Sequence, residues 1–517
     1  MIFNVDGWGA CKIVRRSFLA AFISINALSV NAQSASSSPR LEGSVYISPK
    51  FSLTETWTNN LSLDNNVSKS GWITEISPGI SARSGSGKIK GYLNYSLNIF
   101  NHNKNSANNS FQNSLDSSTN IELVDGHGFL NLTGVIAQKT VSAFSIQNSN
   151  FNNLNANKTE VSTYSLTPYY RGKVSRFLGY EAKYSLTTTR AKNEDNFSSN
   201  TNIASIAING DDFFGKLSWI LSANHQIVSR DNSEDTKVDS LKISINYPII
   251  NNLIFSVSGG REIQNYTSVA QKSSWTSGMG INWAISETTK LSLGIENNPL
   301  GKMHSLNFEH RTPRTSWRFS DTKSTSFSTA VNSSSLNGNF DLLFNQFSSI
   351  ESDPIKRAQL VNNYLQAYGI DRNSTAVNGY LTSGTSLQRA QSLSFALLGI
   401  RDSITLTAVR SNGKSVFNSS TLVDDFSNSD LIKQDGVTAS YTHRITSDTV
   451  VSNQISVQKT YGQLNSQYSK TKSANVSLST RVGSQAYLIL SARQSVSSSA
   501  SFPYKETAVT GSLTVQF

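Results

Sequence analysis

Val509-Thr510-Gly511-Ser512-Leu513-Thr514-Val515-Gln516-Phe517 ends the chain. Val509, Gly511, Leu513, Val515 and Phe517 share one face of an extended backbone, and Thr510, Ser512, Thr514 and Gln516 share the other. Period two means a β-strand with different surroundings on its two sides. About 9–11 tilted residues cross a hydrocarbon core as a strand, so this segment is just long enough to span. Composition points the same way. Hydrophobic residues make up 37% of 517, mean hydropathy is −0.30, and nothing after residue 32 approaches about 20 continuous apolar residues. Helical membrane spans are therefore excluded, while a strand-built membrane wall is not.

The same texture repeats along the chain. Val45, Ile47, Phe51, Leu53 and Trp57 share a face of the first predicted strand, and Ile76, Ile80 and Ala82 continue the register of the next. Ser84-Gly85-Ser86-Gly87 turns tightly into Gly91, Leu93, Tyr95, Leu97 and Ile99, and Asp125-Gly126 makes a second tight turn, because Gly supplies the positive φ a hairpin needs. Long polar connections, among them 230–237, 297–303 and 329–385, are expected to alternate strictly with short turns. The expectation is an all-β fold, a transmembrane antiparallel β-barrel over 43–517 with about 22 strands, in a range of roughly 18 to 24. Even parity places both ends on one side. Some ten residues, 33–42, precede the first strand, which leaves no room for an N-terminal plug domain.

The N-terminus supplies the address. Lys12, Arg15 and Arg16 precede the apolar run 18–30, and Val30-Asn31-Ala32 is a small-residue cleavage site, so 1–32 reads as a secretory signal peptide cut after Ala32. Cys11, the single cysteine, leaves with it, and the mature chain has no thiol chemistry. An exported chain ending on Phe517 resembles the C-terminal assembly signal of bacterial outer-membrane barrels, with Gly511, Leu513, Val515 and Phe517 carrying the likeness. That resemblance implies the outer membrane of a Gram-negative bacterium as location, and membrane lipid, lipopolysaccharide and the barrel-assembly machinery as partners.

One segment breaks the β texture. Asp353 can cap a helix that Pro354 begins and Gly369 ends, near 354–368. Ala358, Val361, Leu365 and Tyr368 follow helical spacing, and Leu360 and Tyr364 widen the stripe. So short a helix needs a surface to pack on. It either folds over the rim in an extracellular loop or enters the barrel and narrows the lumen, and the rim is the expected place.

No catalytic, cofactor or metal site is expected, and no enzymatic activity. The six histidines, His102, His127, His225, His304, His310 and His443, are scattered without ligand spacing. His443 among abundant serines offers at most half a dyad. Ser84-Gly85-Ser86-Gly87-Lys88 lacks the leading Gly and the following Ser/Thr of a phosphate loop. Trp57, Trp72, Tyr170, Tyr180, Trp219, Trp275, Trp283 and Trp317 lie near strand ends, as an interfacial girdle requires. A sugar-stacking track in the lumen is the rival reading of those rings. Removing 1–32 takes three cations and one anion from a net charge of +11, leaving +9. For an envelope barrel this excess suits lipopolysaccharide phosphates or an anionic polysaccharide in the lumen rather than nucleic acid.

Several stretches resemble a known family. They are Ile47-Ser48-Pro49-Lys50-Phe51-Ser52-Leu53-Thr54-Glu55-Thr56-Trp57-Thr58-Asn59-Asn60, Ile76-Ser77-Pro78-Gly79-Ile80, Gly278-Met279-Gly280-Ile281-Asn282-Trp283, His310-Arg311-Thr312-Pro313-Arg314-Thr315-Ser316-Trp317, and Asp353-Pro354-Ile355-Lys356-Arg357 with Gly369 downstream. In these the chain resembles the outer-membrane β-barrels associated with the PEP-CTERM/exosortase system and exopolysaccharide loci. It departs in its wealth of Asn, Ser and Lys, and in Asn59 where the family often has Asp. The resemblance implies exopolysaccharide secretion or surface assembly as the setting and carries over no catalytic residue. A general diffusion porin and a structural or adhesive barrel with a closed lumen are the alternatives.

Overall fold

The structure, a computed structural model, describes residues 45–517 apart from 66–67, 86, 104–108, 149–156, 212–215, 232, 267–269, 332–339, 341–342, 345–346, 348–350, 352–353, 368–375, 417–423 and 465–466. The predicted leader 1–32, the segment 33–42, and Asp353, Tyr368 and Gly369 lie outside the described residues.

The first wall strands are β1 (Tyr46–Thr58), β2 (Gly71–Ser84), β3 (Ile89–His102), β4 (Ser110–Val124), β5 (Gly128–Thr140), β6 (Lys158–Lys173), β7 (Leu178–Ala191) and β8 (Ser199–Gly210). There follow β9 (Ser218–Arg230), β10 (Ser233–Ile250), β11 (Leu253–Gln264), β12 (Lys272–Ser286), β13 (Thr289–Asn298), β14 (Gly301–Arg311) and β15 (Thr315–Ser326). Two-residue strands β16 (Ala330–Val331) and β17 (Tyr380–Leu381) pair with each other apart from the wall. The wall resumes with β18 (Ser386–Leu398), β19 (Asp402–Ser415), β20 (Leu431–Arg444), β21 (Thr449–Tyr461), β22 (Tyr468–Arg481), β23 (Ala486–Ser499) and β24 (Tyr504–Gln516). Each wall strand pairs antiparallel with the next, β15 pairs with β18, and β1 pairs with β24. The result is a closed 22-stranded barrel. Strands about 4.8 Å apart and tilted about 40° make such a ring roughly 40–45 Å across.

The closing seam shows why alternation builds the wall. Facing the lumen, Ser52, Thr54 and Thr56 form hydroxyl pairs with Thr514, Ser512 and Thr510 at 2.8–3.0 Å, and Thr58 donates to Glu506 at 3.0 Å. On the outside Phe51 stands opposite Val515, Leu53 opposite Leu513 and Trp57 opposite Val509. Elsewhere Leu241, Ile243, Ile245, Tyr247 and Ile249 lie exposed in a row along the outer face of β10. Apolar side chains left open around a closed ring form a belt that a hydrocarbon phase can cover. Among the described residues no helix is long and apolar enough to cross a membrane.

Connections alternate between two ends of the barrel. The turn end carries tight turns such as Asp125-Gly126-His127, where Gly126 has φ +69°. The loop end carries 59–70, 141–157, 327–385 and 416–430. Strict long-and-short alternation is corrected. The expected long connections near 230–237 and 297–303 span only two residues each, because β10 and β14 begin inside those polar stretches; 500–503 at the loop end spans four, and 211–217 at the turn end spans seven.

The expected rim placement of the 329–385 insertion is also corrected, because its helix Pro354–Ala367 packs inside the barrel. Val361 and Leu365 are buried with Leu343 and Phe347, and Leu398 of β18 packs against them. Tyr364 is hydrogen-bonded to Ser403 of β19. Leu398 and Ser403 lie at the turn end and face inward, in step with the buried Ser394, Ala396 and Thr405. Leu360, expected in the packed stripe, is 40% exposed instead.

Candidate functional site: a lumen occupied by its own insertion

The insertion starts and ends at the loop end and reaches the turn end between. Its return path runs along the inner wall. Asn378 N donates to Gln458 Oε1 of β21 at 2.9 Å, and Gln434 of β20 donates to Asn378 O at 3.0 Å. Gly436 makes room for that path, since a Cβ there would stand 1.9 Å from Ala376 O.

At the loop end three connections lock together. Asp424 accepts from Thr382 Oγ1 at 2.9 Å and Ser383 N at 2.7 Å, and Asp425 accepts from Ser142 Oγ at 2.7 Å and Ala143 N at 2.6 Å. Tyr380, Phe426, Ala143 and Ile432 form the apolar centre of this cap. Tyr504 of β24 donates to Gln147 O at 2.7 Å, which ties 141–157 to the wall. Burial pushes the Asp425 carboxyl up to about 6, against the hydrogen bonds from Ser142 and Ala143 that favour its charged form.

At the turn end a cavity of about 340 Å³ opens between the helix and the inner faces of β13–β15. Lys290, Glu309, Arg311 and Arg318 line it from the wall, Glu287 from the adjoining turn and Arg357 from the helix, four cations to two carboxylates. Arg357 is held in orientation, with Nε donating to Glu351 O at 2.9 Å and its guanidinium 4.6 Å over the Phe344 ring. Glu309 lies 3.5 Å from Arg318. Cations outnumber carboxylates in a confined space, which raises the local concentration of anions. Guanidinium groups match the two-oxygen geometry of carboxylate, sulfate and phosphate.

The structure places the residues singled out in the sequence as follows. Gly511, Leu513, Val515 and Phe517 lie along the outer side of the seam, and Phe517 N donates to Pro49 O at 2.9 Å. Val30 and Ala32 lie outside the described residues. Trp57, Trp72, Tyr170, Tyr180, Trp219, Trp275, Trp283 and Trp317 all fall on outward positions, Trp57 directly opposite Trp72. They are a girdle, and none of them is a lumenal stacking track. The histidines stay apart. His225 pairs with Asp239, His304 with Asp321 and His443 with Asp402, all on the outer wall. Among the described residues no group of three or more His, Cys, Asp or Glu is placed to hold a metal ion. The basic cavity is what residue-by-residue reading missed. Its signal was present, because two of the family-like stretches, 310–317 and 353–357, meet there through Arg311, Ser316 and Arg357.

No protein-family model and no curated protein matches the chain. Among solved structures it is similar to the FrpB iron transporter from Neisseria meningitidis, with 11% identity over 91% of this chain and 82% of that one, at a TM-score of 0.48. The siderophore receptor PirA from Pseudomonas aeruginosa is similar at 9% identity over 91% and 80%, with a TM-score of 0.42. OccK5 (OpdH) of Pseudomonas aeruginosa is similar at 10% identity over 91% and 98%, with a TM-score of 0.32. The geometry itself defines the class, a closed 22-stranded barrel of the membrane type whose lumen is narrowed by its own chain.

Proposed function

We propose that the chain is a channel of the Gram-negative outer membrane that passes anionic saccharide and serves exopolysaccharide secretion or surface assembly. The apolar outer belt, the outward aromatic girdle and the terminal strand support the location. On this reading the loop end faces outward from the cell and the turn end faces the periplasm. The observation that carries the cargo is the basic cavity at the narrowed, periplasmic end, built from the stretches in which the chain resembles barrels of exopolysaccharide loci. A general diffusion porin is the second reading, favoured by the insertion itself, since an internal loop restricts any solute by size.

Single-channel conductance of the refolded mature protein decides between them. A cargo channel gives stable openings that an anionic polysaccharide such as polygalacturonate blocks from the periplasmic side and neutral dextran of equal length does not. Equal block by both polymers favours the porin. A folded barrel with no openings overturns both readings in favour of a closed structural protein.

A further inference from the structure

The outer wall of β19–β24 changes character along its height. In its middle Val437, Ile455, Val476, Leu490 and Val509 lie exposed and apolar. Nearer the loop end the outward positions become cationic: Arg410, Lys433, Lys459, Lys470, Lys472 and Lys505. Their outward sense follows from the buried residues that alternate with them, Gln434, Gln458, Thr460, Ser469 and Glu506.

Lys459 and Lys470 stand directly opposite each other on β21 and β22, and Lys472 is on the same face two residues along. Like charges directly opposite on a sheet destabilise it. Asp435, on the other side of Lys459, is already paired with Arg410 at 2.7 Å. Among the described residues, no ion pair involves Lys459, Lys470 or Lys472, and Asp435 is the one carboxylate facing outward in the loop half of these strands. Cations held together above an apolar belt attract an anion at that height.

We infer that this belt binds the phosphate groups of a glycolipid in the outer leaflet, with the lipid's acyl chains lying on the apolar wall below. The inference rests on the outer-membrane location proposed above and is independent of what the lumen carries. Ammonium groups bind phosphate as point charges, and polar and apolar levels of the wall match headgroup and chain of one molecule. A membrane lipid, unlike free phosphate, uses both levels.

The test uses the full barrel in zwitterionic detergent, titrated with bisphosphorylated lipid A and with the same glycolipid freed of phosphate. Binding is read by native mass spectrometry and by the thermal midpoint of unfolding. The bisphosphorylated form is expected to bind and raise the midpoint, more at low salt than at high. Lys459→Ala with Lys470→Ala and Lys472→Ala should weaken that binding about tenfold or more. The lipid-free variant should melt no lower than the parent, because repulsion has been removed. Equal binding of both glycolipids overturns the inference, as does equal protection by inorganic pyrophosphate. A variant that melts lower without lipid and binds lipid A as tightly as the parent shows the lysines to be structural and overturns it too. Failure of the location reading is separately visible as a barrel that does not enter a planar bilayer.

Discussion

The inner wall has two arcs with the same strand rhythm and different linings. On β18–β23 most lumen-facing side chains are short and buried, among them Ser392, Ser394, Ala396, Ser403, Thr405, Thr438, Thr442, Ser477, Ser479 and Ser495, with Gln434 and Gln458 as longer, hydrogen-bonded members. On β6, β7, β10 and β13 they include Arg171, Glu181, Lys183, Lys242 and Glu296, none of them buried. The insertion's helix and return path lie on the first arc. On the second it covers only the loop end, where Arg230 of β9 donates to Phe327 O at 2.8 Å and Val161 and Ala191 pack with Leu381, and it leaves the rest open to water. Short hydroxyls cost little when covered, because they can bond locally and demand no charge partner. Long charged side chains lose hydration when covered even if paired, as Lys183 is with Glu181 and Lys242 with Glu296. The lining therefore decides where an internal loop can lie, although each strand alone says only that one side is polar.

Removing the insertion's core tests that contrast most strongly. Deleting 340–369 should leave a folded barrel, since the wall closes through β1–β24 and β15–β18 without it, and conductance should rise several-fold. Unchanged conductance would place the passage elsewhere. Gly436→Val should act on the same contact more gently. A side chain there displaces the return path at Ala376, which should cost about 1–3 kcal/mol of loop docking and add brief openings of larger conductance to the single-channel record. The same change at Gly259 of β11, which faces outward opposite Ile243 and where a Cβ meets nothing within 4 Å, should leave the record unaltered.

The wall was legible and the lumen was not, for physical reasons that particular residues show. Alternation identifies strands wherever one face meets an apolar phase, as at 241–249. It fails where a strand rises beyond that phase and both faces are polar. Ser233-Glu234-Asp235-Thr236-Lys237 has the composition of a loop and is the start of β10. The helix was legible because Val361 and Leu365 mark a stripe, and that stripe is buried. Its location was not, since the same stripe would serve on a rim or in a lumen. What sets the location is a long-range fit, Leu398 and Ser403 on strands beyond the insertion, together with the space left by Gly436. The basic cavity is legible only in hindsight, from family-like stretches 310–317 and 353–357 that lie apart in sequence.

Charge should separate the two arcs next. Arg318→Ala with Arg357→Ala removes cations from both sides of the narrowed passage, while Lys183→Ala with Lys242→Ala removes them from the open arc. The first pair should lower the anion-over-cation permeability ratio about two- to threefold, the second much less, because a charge acts on permeant ions within about one Debye length. Reversal potentials in a salt gradient measure both. Equal shifts would mean that ions sample the whole lumen and that the insertion does not set the path.

The smallest expected effect concerns the cap above the covered arc. Docked Asp425 holds its proton up to about pH 6, through burial between Ser142, Ala143 and the Asp424 side of the cap. The undocked side chain releases its proton near the ordinary carboxylate value. The docked cap is therefore the proton-rich state, so its stability falls as pH rises between those two values and stays at the lower level above about pH 6. The Ala143 amide, which donates to Asp425 at 2.6 Å, reports this directly. Its hydrogen-exchange protection, corrected for intrinsic rate, should be about tenfold or more higher at pH 5 than at pH 7.5. Amides at mid-height of β10 and β11, away from the cap, should show no such change. Asp425→Asn cannot ionise, and its amide oxygen can accept from Ala143 N while its Nδ2 donates to the Ser142 hydroxyl, so it should hold the high level of protection at both pH values. If its protection still fell with pH, another group would be loosening the cap, and the covered arc would owe its cover to the strand contacts at Leu398, Ser403, Gly436 and Gln458 rather than to Asp425.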